Sequence, residues 1–145
     1  MNPAHIVLIE DNPGDIYLVK MALTESGIHY ALTEFRCGVD AVSELCEPRN
    51  ENSLVPDAIL LDLNTPRTDG FHALTQLKQA PRLSGVPIAI LSSSPACSDK
   101  HQAEMQGVKY IQKPSGLKEF LRTVGQAVKE MLALRENSQL SSSAP

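Results

Sequence analysis

Asp57-Ala58-Ile59-Leu60-Leu61-Asp62 is an apolar run closed at each end by a carboxylate. Its four consecutive apolar residues show no polar alternation. That pattern describes a strand covered on both faces, which is the habit of parallel sheets in α/β proteins. The run stops abruptly at Asp62 and a loop, residues 63–70, follows. Phe71, Leu74 and Leu77 then recur at helical spacing, and Ala80-Pro81 closes that helix. A buried strand passing through a loop into a helix is one βα unit, and its terminal carboxylate stands at the strand's carboxyl end.

The same grammar repeats on both sides. Residues 5–9 form a short apolar run that ends in Glu10-Asp11, and Asn12-Pro13-Gly14-Asp15 supplies turn and capping residues. Ile16, Val19 and Leu23 make a helical stripe thickened by Leu18 and Ala22, and Ser26-Gly27 ends it. Residues 30–35 are a weaker strand and residues 39–45 a short helix, after which the polar stretch 47–53 predicts an exposed loop. Residues 86–91 are a further buried strand ending in Ser92-Ser93-Ser94, followed by a weak helix over 99–106. A last strand over 108–111 ends near Lys113-Pro114. The final helix carries Leu117, Phe120, Leu121, Val124, Val128, Met131 and Leu132 on one broad stripe, and residues 137–145 read as a flexible Ser-rich tail.

Five strands alternating with five helices predict an α/β, doubly wound parallel sheet covered on both faces. With right-handed crossovers, the carboxyl ends of the strands share one edge, where open α/β sheets bind ligands. That edge gathers Glu10, Asp11, Asp62, Ser92 and Lys113.

Composition agrees with one folded domain over residues 1–136, with no output domain beyond it. Of 145 residues, 42% are hydrophobic and 21% charged, ordinary for a globular chain. The net charge of −4, from 13 basic and 17 acidic residues, includes no basic run suited to a nucleic-acid backbone. No leader-like start and no apolar run long enough for a membrane span is visible, so the chain reads as cytoplasmic. Cys37, Cys46 and Cys97 are odd in number and outside any CxxC pattern, and His5, His29, His72 and His101 show no ligand spacing.

Three carboxylates within about 5 Å of one another would repel by roughly 3 kcal/mol per pair at an effective dielectric near 20. Raised pKa values or a cation must offset this. An oxygen-only cluster without His or Cys suits a hard ion, and Mg²⁺ is the expected one. A carboxylate beside such an ion can attack a phosphoryl donor, since the metal and a nearby ammonium neutralise the transferring group. Asp62 is the expected nucleophile, Lys113 its mobile counter-ion, and Ser92 a hydroxyl donor to the phosphoryl oxygens. The added charge and its three acceptors would draw a hydroxyl-bearing loop inward, turning a local event into a population shift. Asp15 reads as a helix-start residue rather than a metal ligand. Tyr110 reads either as a strand aromatic or as a conformational reporter, and the serine run either as loop or as site.

Over residues 5–133 or so, these stretches resemble the response-regulator receiver family of two-component signalling. The matching segments are Ile6-Val7-Leu8-Ile9-Glu10-Asp11, Ile59-Leu60-Leu61-Asp62-Leu63-Asn64 with Pro66 and Asp69-Gly70, Ile90-Leu91-Ser92, and Tyr110-Ile111-Gln112-Lys113-Pro114. The resemblance implies a flavodoxin-like strand order of 2-1-3-4-5. It implies phosphorylation of Asp62 by a histidine kinase, and Mg²⁺ bound by Asp11, Asp62 and the backbone carbonyl of Asn64, with Glu10 acting through water. It also implies Ser92 and Tyr110 as a switch pair, Lys113 on the phosphoryl group, and a cis bond to Pro114. Asp11-Asn12-Pro13-Gly14-Asp15, the enlarged polar loop and the lack of an output domain look like the small regulators that partner bacterial and cyanobacterial phytochromes. That likeness implies a phytochrome-type sensor kinase and a homodimer through the fourth helix, fifth strand and fifth helix. Ser92 stands where Thr is commoner and Glu10 where Asp is frequent, while Thr65 and Thr68 occupy positions that are often apolar.

Two other functions compete. A haloacid-dehalogenase-like phosphatase also uses an Asp nucleophile with Mg²⁺, but it needs a second Asp two residues on, where Asn64 stands here. A phosphorylation-independent adapter would keep the fold without the chemistry, yet every acceptor-site position holds a suitable residue type. The downstream target is not legible in the residues.

Overall fold

The computed structural model describes residues 2–47 and 55–143, with side chains to residue 137. The polar stretch read as a loop over 47–53 lies almost wholly outside these residues. The elements are β1 (Ala4–Ile9), α1 (Pro13–Glu25), β2 (Tyr30–Phe35), α2 (Gly38–Cys46), β3 (Ala58–Leu61), α3 (Gly70–Gln79), a 3₁₀ turn at Pro81–Leu83, β4 (Ile88–Ser92), α4 (Cys97–Met105), β5 (Lys109–Gln112) and α5 (Leu117–Ser143). All strand pairs are parallel and the order is β2-β1-β3-β4-β5, the flavodoxin-like topology expected.

Side chains along a strand point alternately to the two faces, and the core divides accordingly. Ile6 and Leu8, Leu60, and Ala89 and Leu91 face α1 and α5, where Ile16, Val19, Leu23, Phe120, Val124 and Val128 meet them. Val7 and Ile9, Ile59 and Leu61, and Ile88 and Ile90 face the other layer, packed by Leu45, Leu74, Leu77 and Ala103. The unbroken apolar run in β3 therefore serves both layers. Each fully buried Leu or Ile contributes about 1.5–3 kcal/mol. The α5 stripe is as read except at its start, since Leu117 opens the helix and is 54% exposed.

α5 lies close against the end of α1 because Gly125 has no side chain, and a Cβ there would run into the hydroxyl of Ser26 and close on the carbonyl of Ala22. The helix continues to Ser143, so helical backbone covers most of the stretch 137–145 read as a tail. The helical hydrogen-bond ladder persists through polar residues once a long packed helix has nucleated it. Among the described residues, no helix is long and apolar enough to cross a membrane.

Candidate functional site

Three polar residues of the sheet edge are held by ladder bonds reaching just past a strand. The Glu10 amide donates to the Phe35 carbonyl (2.9 Å), the Asp62 amide to that of Ile9 (3.0 Å), and the Lys113 amide to that of Ser92 (2.7 Å). Parallel register thus sets Glu10, Asp62 and Lys113 side by side. α1 starts on the same edge: Asn12 caps it, its Oδ1 accepting from the Asp15 amide at 3.2 Å, and Pro13 occupies the first turn. α3 is capped by Asp69, whose side chain accepts from the amides of Phe71 and His72. At Gly70 the first turn of α3 passes directly over Leu63, leaving no room for a Cβ.

Lys113 occupies the centre. Its ammonium donates to Asp15 Oδ2 at 2.8 Å, Glu10 Oε2 at 2.9 Å and Asp62 Oδ2 at 3.1 Å. Burial alone would lower its pKa, but hydrogen bonds to Asp15 and Glu10 and the charges of Asp62 and Glu10 outweigh that and raise it. Lys113 is therefore a fixed cation. The peptide bond between Lys113 and Pro114 is trans, which corrects the cis bond that the resemblance implied. Trans is the lower-energy isomer for X–Pro by about 0.5–1 kcal/mol, and with it Lys113 already reaches all its partners.

Glu10, Asp11 and Asp62 each bring a carboxylate oxygen within 4.8 Å of the others, the one such group among the described residues. The donor set is all oxygen and in part buried, as a hard divalent cation requires. Lys113 does not balance it. Burial, a hydrogen bond to Asp62 and the Asp62 charge push the Glu10 carboxyl up to about 7, against the opposing pull of Lys113. Such residual charge fits a divalent cation held by these residues.

The raised Glu10 pKa has a consequence for stability. The folded chain holds this proton more tightly than the unfolded chain, so the stability contributed by Glu10 is fully present below the ordinary value of 4.5 and is lost as pH rises through about 7. In chelator, the wild type is expected to lose on the order of 3 kcal/mol over that window relative to Glu10→Gln. Urea unfolding across a pH series measures this. Parallel pH slopes for the two proteins would disprove the assignment.

The remaining expected residues fall as follows. Asp62 is buried, and its Oδ1 accepts from the Asn64 amide at 2.9 Å. Asn64 lies beside Asp62, its amide on Asp62 Oδ1, and no carboxylate stands two residues on to serve as a phosphatase's acid and base. Ser92 is fully buried at the end of β4, its Oγ accepting from the Ser94 amide at 3.1 Å. Tyr110 packs against the second core cluster, and its hydroxyl donates to the Ser94 carbonyl at 2.6 Å. Ser92 and Tyr110 thus meet on one intermediary, Ser94. Thr65 is buried and Thr68 half-buried. Among the described residues, the histidines and cysteines join no metal group, and the cysteines are free thiols. Two residues with roles escaped the sequence reading: Asp15, a direct partner of Lys113, and Ser94. The signal for Asp15 was its place in the first turn of α1, four residues after Asp11 and at the helix end that starts on the sheet edge.

A family model described as the response regulator receiver domain matches residues 6–125. The chain is 36% identical over 124 residues to response regulator Rcp1 of Synechocystis sp., covering 84% of each. It is 31% identical over 124 residues to the probable methanogenesis regulatory protein FilR2 of Methanothrix harundinacea, covering 85% of this chain and 80% of that one. Among solved structures, the phosphorylated cyanobacterial phytochrome response regulator RcpA superposes with a TM-score of 0.81 at 33% identity, over 91% of this chain and 96% of that one. The Mn²⁺-bound form of Rcp1 gives 0.79 at 34% identity, over 90% and 95%. Fold, acidic edge and sequence therefore converge: the chain belongs to the response regulator receiver domain family and is related to phytochrome response regulators.

Proposed function

We propose that Asp62 is the phosphoacceptor of a signalling switch that takes its phosphoryl group from a sensor histidine kinase. The observation that carries this is the setting of Asp62: buried at a strand end, with one oxygen on a backbone amide and the other on the Lys113 ammonium. An Asp62 oxygen would form the new O–P bond as the P–N bond of a phosphohistidine breaks and the imidazole leaves. Lys113 is placed to neutralise the charge of the arriving group. Asp11, Asp62 and the Asn64 carbonyl would hold Mg²⁺, with Glu10 acting through water. When bound, the ion neutralises charge on the attacking carboxylate and the phosphoryl oxygens. The chain transfers the group onto itself and is a phosphoacceptor rather than a turnover enzyme.

Ser92 would then donate to a phosphoryl oxygen, leaving the Ser94 amide that it now accepts from, and the shift would reach Tyr110 through the Ser94 carbonyl. The kinase is of phytochrome type on this reading, supported by the relatives named for phytochromes. The signal leaves through α4, β5 and α5, where Met105 is exposed and Lys109 pairs with Glu130. That face is also the proposed homodimer contact. The chain acts in the cytoplasm, as one domain over residues 1–136.

Intact-protein mass after incubation with acetyl phosphate tests the reading. A phosphate adduct is expected on the wild type with Mg²⁺, and none with chelator or on Asp62→Asn. An adduct that survives Asp62→Asn would overturn the assignment of the acceptor. If acetyl phosphate gives no adduct, a phosphorylated phytochrome kinase is the second donor, and failure with both would leave the adapter reading in its place.

A further inference from the structure

An ammonium has three N–H donors, and in Lys113 all are engaged, by Asp15, Glu10 and Asp62. A phosphoryl oxygen arriving on Asp62 can be bonded by Lys113, with the contact to Asp62 itself kept, only if Glu10 or Asp15 gives up its share. The structure differentiates them. The Glu10 side chain is 1% exposed and that of Asp62 7%, whereas that of Asp15 is 27% exposed. Releasing Glu10 would leave its carboxyl buried without the ammonium, either charged or at the cost of taking up a proton. One released at Asp15 can be hydrated where it stands. Asp15 also lies in the first turn of α1, where its charge is favoured by the helix N-terminus with or without Lys113.

Resting on the proposed phosphoacceptor role of Asp62, we propose that Asp15 is a positioning residue that holds Lys113 in the unphosphorylated chain and is the partner Lys113 leaves when the phosphoryl group arrives. Asp15 then competes with the phosphoryl group for one N–H and sets how readily the chain passes into its phosphorylated state. It acts through Lys113 and touches no reacting atom.

The expected result follows from the competition. With Mg²⁺ present, Asp15→Asn binds beryllofluoride, a phosphoryl mimic, about three- to tenfold more tightly than the wild type, the net range of one ordinary hydrogen bond. Asp15→Glu, which restores the carboxylate, returns the affinity towards the wild-type value. In a Lys113→Met background Asp15→Asn has no effect, since the competition passes through the ammonium. Calorimetric titration of the four proteins and of the double variant reads these affinities. An unchanged affinity in Asp15→Asn overturns the proposal. So does an equal gain with and without Lys113, which would mean that Asp15 simply repels the anion. Absence of saturable binding by the wild type would instead overturn the phosphoacceptor reading on which the proposal rests.

Discussion

Lys113→Met is expected to destabilise the metal-free protein by about 3–5 kcal/mol, the usual result of removing one member of a buried ionic cluster. Lys113 holds Glu10, Asp15 and Asp62 together at 2.8–3.1 Å. Without its charge, Glu10 and Asp62 stay in a nearly water-free setting, with the Asn12 and Asn64 amides as neutral donors. Part of the loss would be relieved by proton uptake at Glu10. The distinguishing feature is the response to Mg²⁺. A divalent cation supplies the missing charge, so the variant should gain more stability from Mg²⁺ than the wild type does. Urea unfolding with chelator and with excess Mg²⁺ measures both values. Equal stabilisation of the two proteins by Mg²⁺ would show that Lys113 and the metal do not answer to the same carboxylates.

Gly70→Ala should lower stability by about 3 kcal/mol and weaken Mg²⁺ binding about tenfold, although Gly70 touches none of the acidic residues. A Cβ at this position would lie 2.6 Å from Leu63 Cα and 2.7 Å from its carbonyl oxygen. These are backbone atoms and cannot rotate away, so either the first turn of α3 or the loop after β3 must move, as in other overpacked sites. Leu63 joins Asp62 to Asn64, and displacing it disturbs the bond from the Asn64 amide to Asp62 Oδ1. Mg²⁺ titration followed by thermal unfolding reads both effects. Reduced stability with unaltered Mg²⁺ affinity would place the strain in α3 alone.

The layers of the fold were legible because each rests on a local pattern. The apolar run of β3, the stripes of α1 and α5 and the breaks at Ser26-Gly27 and Ala80-Pro81 all state their own role. Glu10, Asp11, Asp62, Ser92 and Lys113 were also legible, since a strand end and its polar residue are adjacent in the chain and the topology brings the ends together. What escaped was contact chemistry between elements. Asp15 is a good helix-start residue on its own terms, and its 2.8 Å bond to Lys113 spans 98 residues of sequence. Ser94 is one serine among three until Tyr110 is seen to donate to its carbonyl. The length of α5 likewise depends on packing that the polar residues at its end do not specify.

The wide sequence spacing of the partners of Lys113 orders events during synthesis. Glu10, Asp15 and Asp62 precede their common cation by 103, 98 and 51 residues. A ribosome-bound chain that has exposed β1 to β3 carries the acidic half of the site and no ammonium to share. Its carboxylates must be hydrated, protonated or bound to a cation until β5 docks against β4 and delivers Lys113. The site is therefore completed by the last strand to arrive, and chains that stop short of it keep the Asp62 carboxylate without its ammonium.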